Sequence, residues 1–149
     1  MLTEASMDSH SQSRKALTNM TDHASKIALA RQFHAALLAR DWAAIRSLLA
    51  DQAEWTLPGS NDISGPAQGA DAVVERAQKI AGYGLKFELL HILSSRTDVA
   101  LHLHNTAERN GVKLDEYLAT VLPVEEGKIV AIETFLSDVV GMNAFFAEG

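Results

Sequence analysis

The chain contains no cysteine, which removes disulfides, thiolate metal sites and cysteine nucleophiles together. Positive charge is also scarce: 13 Lys and Arg stand against 19 Asp and Glu, for a formal net charge of -6. No basic run is longer than Arg14-Lys15. The electrostatic footprint of a phosphate-backbone binder is therefore missing, and nucleic acid is not an expected partner. No stretch approaches the ~18 apolar residues of a membrane span. The first twenty residues lack the apolar segment of a secretory signal, so a cytoplasmic protein with no membrane partner is expected. Neither a G-x-G-x-x-G, a P-loop nor a G-x-S-x-G pattern occurs, so the common nucleotide and serine-hydrolase signatures are absent. No cofactor is expected.

What is present fits one domain. The chain has 149 residues, 47% of them hydrophobic and 21% charged, enough for a single core and too few for two. Residues 1–20 are polar and serine-rich without an apolar period, the signature of a disordered N-terminal tail. Residues 21–149 carry the domain. Thr21 and Asp22 are cap residues ahead of a helix whose apolar stripe is read as Ile27, Ala30, Phe33, His34, Leu37 and Leu38, with Lys26 and Arg40 off it. Asp41 caps a shorter helix over 42–50, where Trp42 reads as packing. Residues 53–57 alternate as a strand ended by Pro58-Gly59, and 59–69 are turn formers. A third helix spans 71–81, with Glu75 and Lys79 placed as an i,i+4 pair.

From Gly84 the period changes to that of strands, over 85–95, 99–108, 112–124 and 129–137. Asn110-Gly111 is a hairpin signal, and residues 125–128 make a second tight turn. Residues 138–146 read as a short final helix. Helices, a strand, a helix and then an antiparallel meander predict an α+β fold.

Three stretches in this order carry a resemblance. They are Leu48 to Trp55 with Pro58-Gly59 and the Gly69 to Val73 helix start, then Leu101 to Gly111, then Glu126 to Glu133 running to Asp138. Together they resemble the SnoaL-like branch of the nuclear transport factor 2-like superfamily. The resemblance implies a cone-shaped curved antiparallel sheet wrapped around N-terminal helices, enclosing an apolar pocket. Members isomerise steroids, cyclise polyketides, dehydrate scytalone, open epoxides or only bind, so fold does not choose among them. Against ketosteroid isomerase, the general base would fall on Leu57, the oxyanion tyrosine near Phe33 and the second acid near Ala119. All three are apolar here, and that chemistry is not expected. Epoxide hydrolases of the fold keep an acid where Asp138 stands, and an Arg-x-Asp where His102-x-His104 stands.

His102 and His104 share one strand face, opposite Leu101 and Leu103. Imidazole suits proton transfer near neutral pH, although that face is equally readable as the solvated outside of the sheet. As a metal site the pair lacks a third ligand. Asp138 reads either as an acid–base group at the pocket mouth or as the cap of the last helix. Trp55, Leu57 and Phe33 are expected pocket walls, His34 and Tyr117 expected ligand contacts, and Glu116 a solvent-facing charge. His91 is a further candidate. The expectation is a small hydrophobic ligand bound by a cofactor-free isomerase, cyclase, dehydratase or hydrolase, with a non-catalytic binding or dimerisation domain as the alternative. The strand 85–95 is apolar on both faces, so a homodimer through the sheet is also expected.

Overall fold

Apolar side chains three and four positions apart define the first helix. The computed structural model, which describes residues 22–147, shows α1 over 22–39. The expected tail lies outside the described residues. The buried stripe of α1 is Leu29, Ala30, Phe33, Ala36 and Leu37, rotated from the expected one, and Leu38 is exposed. Lys26 lies on this stripe, not off it, one turn before Ala30; it is buried, and its ammonium reaches the Ser95 carbonyl. A lysine stem fills apolar space while its head finds an acceptor, so a count of apolar residues alone misplaces the stripe. Arg40, at φ 55, ends the helix. Asp41 then accepts the Ala44 N–H at 3.1 Å and starts α2, Trp42–Leu48. That helix stops short of the expected 50 because Leu49 already pairs with Ile129 in β1, Leu49–Leu57.

The loop after β1 is not all turn. Four of its residues form β2, Gly65–Gln68, which pairs antiparallel with β1 at the sheet edge. Pro66 is tolerated there because an edge strand needs fewer N–H donors. Next, α3 (Ala70–Gly82) buries Val73, Ala77, Ile80 and Ala81. Four long strands follow: β3 (Lys86–Ser94), β4 (Asp98–Arg109), β5 (Val112–Glu125) and β6 (Lys128–Leu136), then α4 (Val139–Phe145). Asn110 and Gly111 take φ values of 52 and 79, the left-handed pair that a two-residue hairpin turn needs to match strand twist.

The sheet order is β2-β1-β6-β5-β4-β3. Every pair is antiparallel except β1 with β6, which is parallel. Register shifts occur between Leu49 and Glu54, between Leu89 and His91, and between Val121 and Val124. Such shifts bend strands, and the result is a curved, unclosed sheet of the nuclear transport factor 2-like kind. Its concave face packs on α1 and α3 through a large apolar cluster that includes Phe33, Val73, Leu101 and Leu122. A smaller cluster joins Leu57, Ile63, Ile80 and Leu114 to Met142, Phe145 and Phe146 of the C-terminal segment. Among the described residues no helix is long and apolar enough to cross a membrane.

Candidate functional site

Strand alternation decides what faces inward. On β4 the buried set is Val99, Leu101, Leu103 and Asn105; on β5 it is Leu114, Glu116, Leu118, Thr120 and Leu122. Between the two core clusters this face bounds a cavity of about 60 Å³. Phe33 from α1, Trp55 and Leu57 from β1, and Ile63, Met142 and Phe146 from the covering segments close it. Four polar side chains stand among these walls: Asn105, Glu116, Thr120 and Thr134.

Two of them are satisfied internally. The Trp55 indole N–H donates to Thr134 Oγ1 at 3.0 Å, and the Thr134 and Thr120 hydroxyls lie 3.4 Å apart. Glu116 is different in kind. It is only 1% exposed, and no cation is paired with it among the described residues. One carboxylate oxygen, Oε1, accepts the Asp138 backbone N–H at 2.9 Å and the Ser137 hydroxyl at 3.3 Å. Burial raises its proton affinity above the ordinary carboxylate value; these hydrogen bonds pull the other way, and the nearby Asp138 charge adds to the rise. A carboxyl held this way exchanges a proton closer to neutral pH than a solvated one. Directly across from it on β4 sits Asn105.

The structure brings only part of the expected site together. Phe33, Trp55 and Leu57 line the cavity. The histidines do not. His102 and His104 lie on the convex face with Tyr117, because the inward register of β4 belongs to Leu101, Leu103 and Asn105. There His104 Nε2 meets Asp115 Oδ1 at 2.5 Å and its ring stacks on Tyr117 at 4.2 Å. His91 stacks on His102 at 5.7 Å on the same side. His34 lies outside the cavity wall and bonds the Phe87 carbonyl at 2.8 Å. Asp138 is exposed and its side chain accepts the Gly141 N–H at 2.9 Å. It caps α4, and no Asp138–His104 dyad exists. The group missed was Glu116, read as a surface charge. The available signal was the run Leu114, Glu116, Leu118, Thr120, Leu122, in which the glutamate occupies the apolar register. Among the described residues no cluster of three or more metal-ligating side chains forms.

A family model described as a SnoaL-like domain matches residues 30–132. Among solved structures, Bal32a from a soil-derived mobile gene cassette superposes with a TM-score of 0.80 at 26% identity, over 83% of this chain and 98% of that one. A protein of unknown function with a cystatin-like fold from Xanthomonas campestris gives a TM-score of 0.75 at 26% identity, over 83% and 98%. An epoxide hydrolase from M. tuberculosis gives 0.66 at 15% identity, over 84% and 91%, a likeness of fold alone. Comparison with curated proteins by sequence gives no match.

Proposed function

The chain belongs to the SnoaL-like domain family, and on that premise we propose that it binds a small hydrophobic molecule in the cavity and exchanges protons with it through Glu116. The reaction class is that of a cofactor-independent isomerase, cyclase, dehydratase or hydrolase. The observation that supports this is a carboxyl 1% exposed on a mostly apolar wall. A neutral carboxyl gives its proton to a ligand oxygen and, as carboxylate, takes one from a neighbouring carbon. The group ends as it began, and the ligand is isomerised. Such a group contributes ~10²–10⁴-fold. Phe33, Trp55 and Leu57 would hold the apolar body.

At about 60 Å³ the cavity is far smaller than the ~300–1,000 Å³ expected of a drug-sized site. A ring-sized body requires its cover to yield. That cover is the loop 58–64 and α4, joined where Asn143 Oδ1 accepts the Ser60 N–H and the Asn61 side-chain amide, each at 2.8 Å. Met142, on the cover, is unbranched and adapts readily. The test uses cyclopentanone in D₂O, with loss of its α-proton signal followed by NMR. Exchange faster than buffer that disappears in Glu116→Gln supports the reading. Identical rates for buffer, protein and variant at high ketone would sink it.

We also propose that the convex face is covered by a second copy of the chain. Leu93, Phe135 and Tyr117 are 56%, 53% and 48% exposed on it, and a two-fold contact needs only one self-complementary patch. Sedimentation at tens of micromolar should show a dimer; a single species at the 16.1 kDa of the monomer would contradict it.

A further inference from the structure

We infer that the molecule held in the cavity carries a hydroxyl, and that Asn105 recognises it by accepting its hydrogen bond. The inference rests on the cavity reading above and narrows it to a class: a small apolar alcohol, phenol or enol. Asn105 is only 8% exposed, and its side-chain oxygen Oδ1 has no hydrogen-bond partner among the described residues. A buried amide oxygen is rarely left so, because desolvating it without a partner is costly.

Most hydrogen-bond donors around the cavity are already engaged. The Trp55 indole N–H goes to Thr134, and the Thr134 hydroxyl lies against that of Thr120. The Ser137 hydroxyl and the Asp138 N–H both go to Glu116 Oε1. Asn105 is one of the side chains that line the cavity, so a ligand seated there lies beside its amide. Across the strand pair stands Glu116, whose register partner is Asn105. Antiparallel partners on one face hold their Cβ atoms ~5 Å apart, close enough for one ligand oxygen to meet both polar ends. A ligand O–H donates to Asn105 while the same oxygen accepts from a neutral Glu116. A ketone or ether of equal shape leaves Oδ1 without a donor.

Phenol and toluene test this, since they share a ring and an outline and differ in a hydroxyl against a methyl. Binding is read from the indole N–H resonance of Trp55, which lines the cavity, in the full chain and in Asn105→Leu. Phenol is expected to bind the unsubstituted protein at least as tightly as toluene. Asn105→Leu is expected to weaken phenol about tenfold or more while toluene holds or gains. If the substitution changes both probes alike, the hydroxyl assignment falls and the Glu116 reading stands. A tenfold preference for toluene in the unsubstituted protein has the same consequence, so the test survives a variant that does not fold. Binding of neither probe, even in Met142→Ala with its added space, overturns both readings.

Discussion

Glu116→Gln is expected to be more stable than the unsubstituted protein near pH 7 and no more stable near pH 4. Burial in the cavity raises the carboxyl above its ordinary 4.5. The folded protein then keeps a proton that the unfolded chain has already released. Stability therefore falls as pH rises from 4.5 towards the folded value, where the native carboxyl also ionises. Below 4.5 both states hold the proton and the penalty vanishes. One such proton sets a slope of at most about 1.4 kcal/mol per pH unit. Glutamine has the same shape, its Oε1 still accepts from the Asp138 N–H, and it does not titrate. Denaturant unfolding at a series of pH values should show the two stabilities diverging upward from 4.5. Parallel curves would mean that the fold leaves Glu116 unperturbed, and a wild-type advantage growing with pH would reverse the sign.

Phe146→Ala is expected to cost ~3–5 kcal/mol, the range for emptying a buried aromatic site. The ring is fully buried and meets the rings of Tyr83 and Phe145 edge-on, with centroids 4.9 and 4.8 Å away. It also forms part of the cavity wall, so its loss joins new space to existing space. The backbone carbonyl of residue 146 accepts the Asp62 N–H at 3.2 Å and survives the substitution, but the packing that positions it does not. Unfolding experiments should show the loss, and amide exchange at Asp62 should accelerate more than exchange in β4. A loss under about 1 kcal/mol would show that the C-terminal segment is not part of the cooperative core.

Much of the fold was legible because local chemistry decided it. Asp41 caps where a cap was expected, and Asn110-Gly111 turns the hairpin with the dihedrals that pair favours. The strand alternation also separated Leu101 and Leu103 from His102 and His104 correctly. What alternation lacks is a label for which face is inside. Chemically suggestive histidines drew the site to the convex side, where stacked rings and Asp115 occupy them. Glu116 was hidden for a different reason. Carboxylates are almost never buried without a partner, and its partner is a backbone N–H that lies 22 residues later in the chain. Lys26 is concealed in the same way, by a carbonyl 69 residues away. The parallel pairing of β1 with β6 likewise joins the two ends of the domain, and no local pattern announces it.

Glu116 is a buried carboxyl poised to exchange a proton, and its titration can be observed directly. Carboxyl-¹³C glutamate incorporated into the protein gives one signal that vanishes in Glu116→Gln, and that signal can be followed with pH. Its midpoint is expected above 4.5, with the carboxyl still protonated where a solvated glutamate is ionised. A midpoint at or below 4.5 would contradict it, because the Ser137 and Asp138 hydrogen bonds would then outweigh burial and leave a fixed anion.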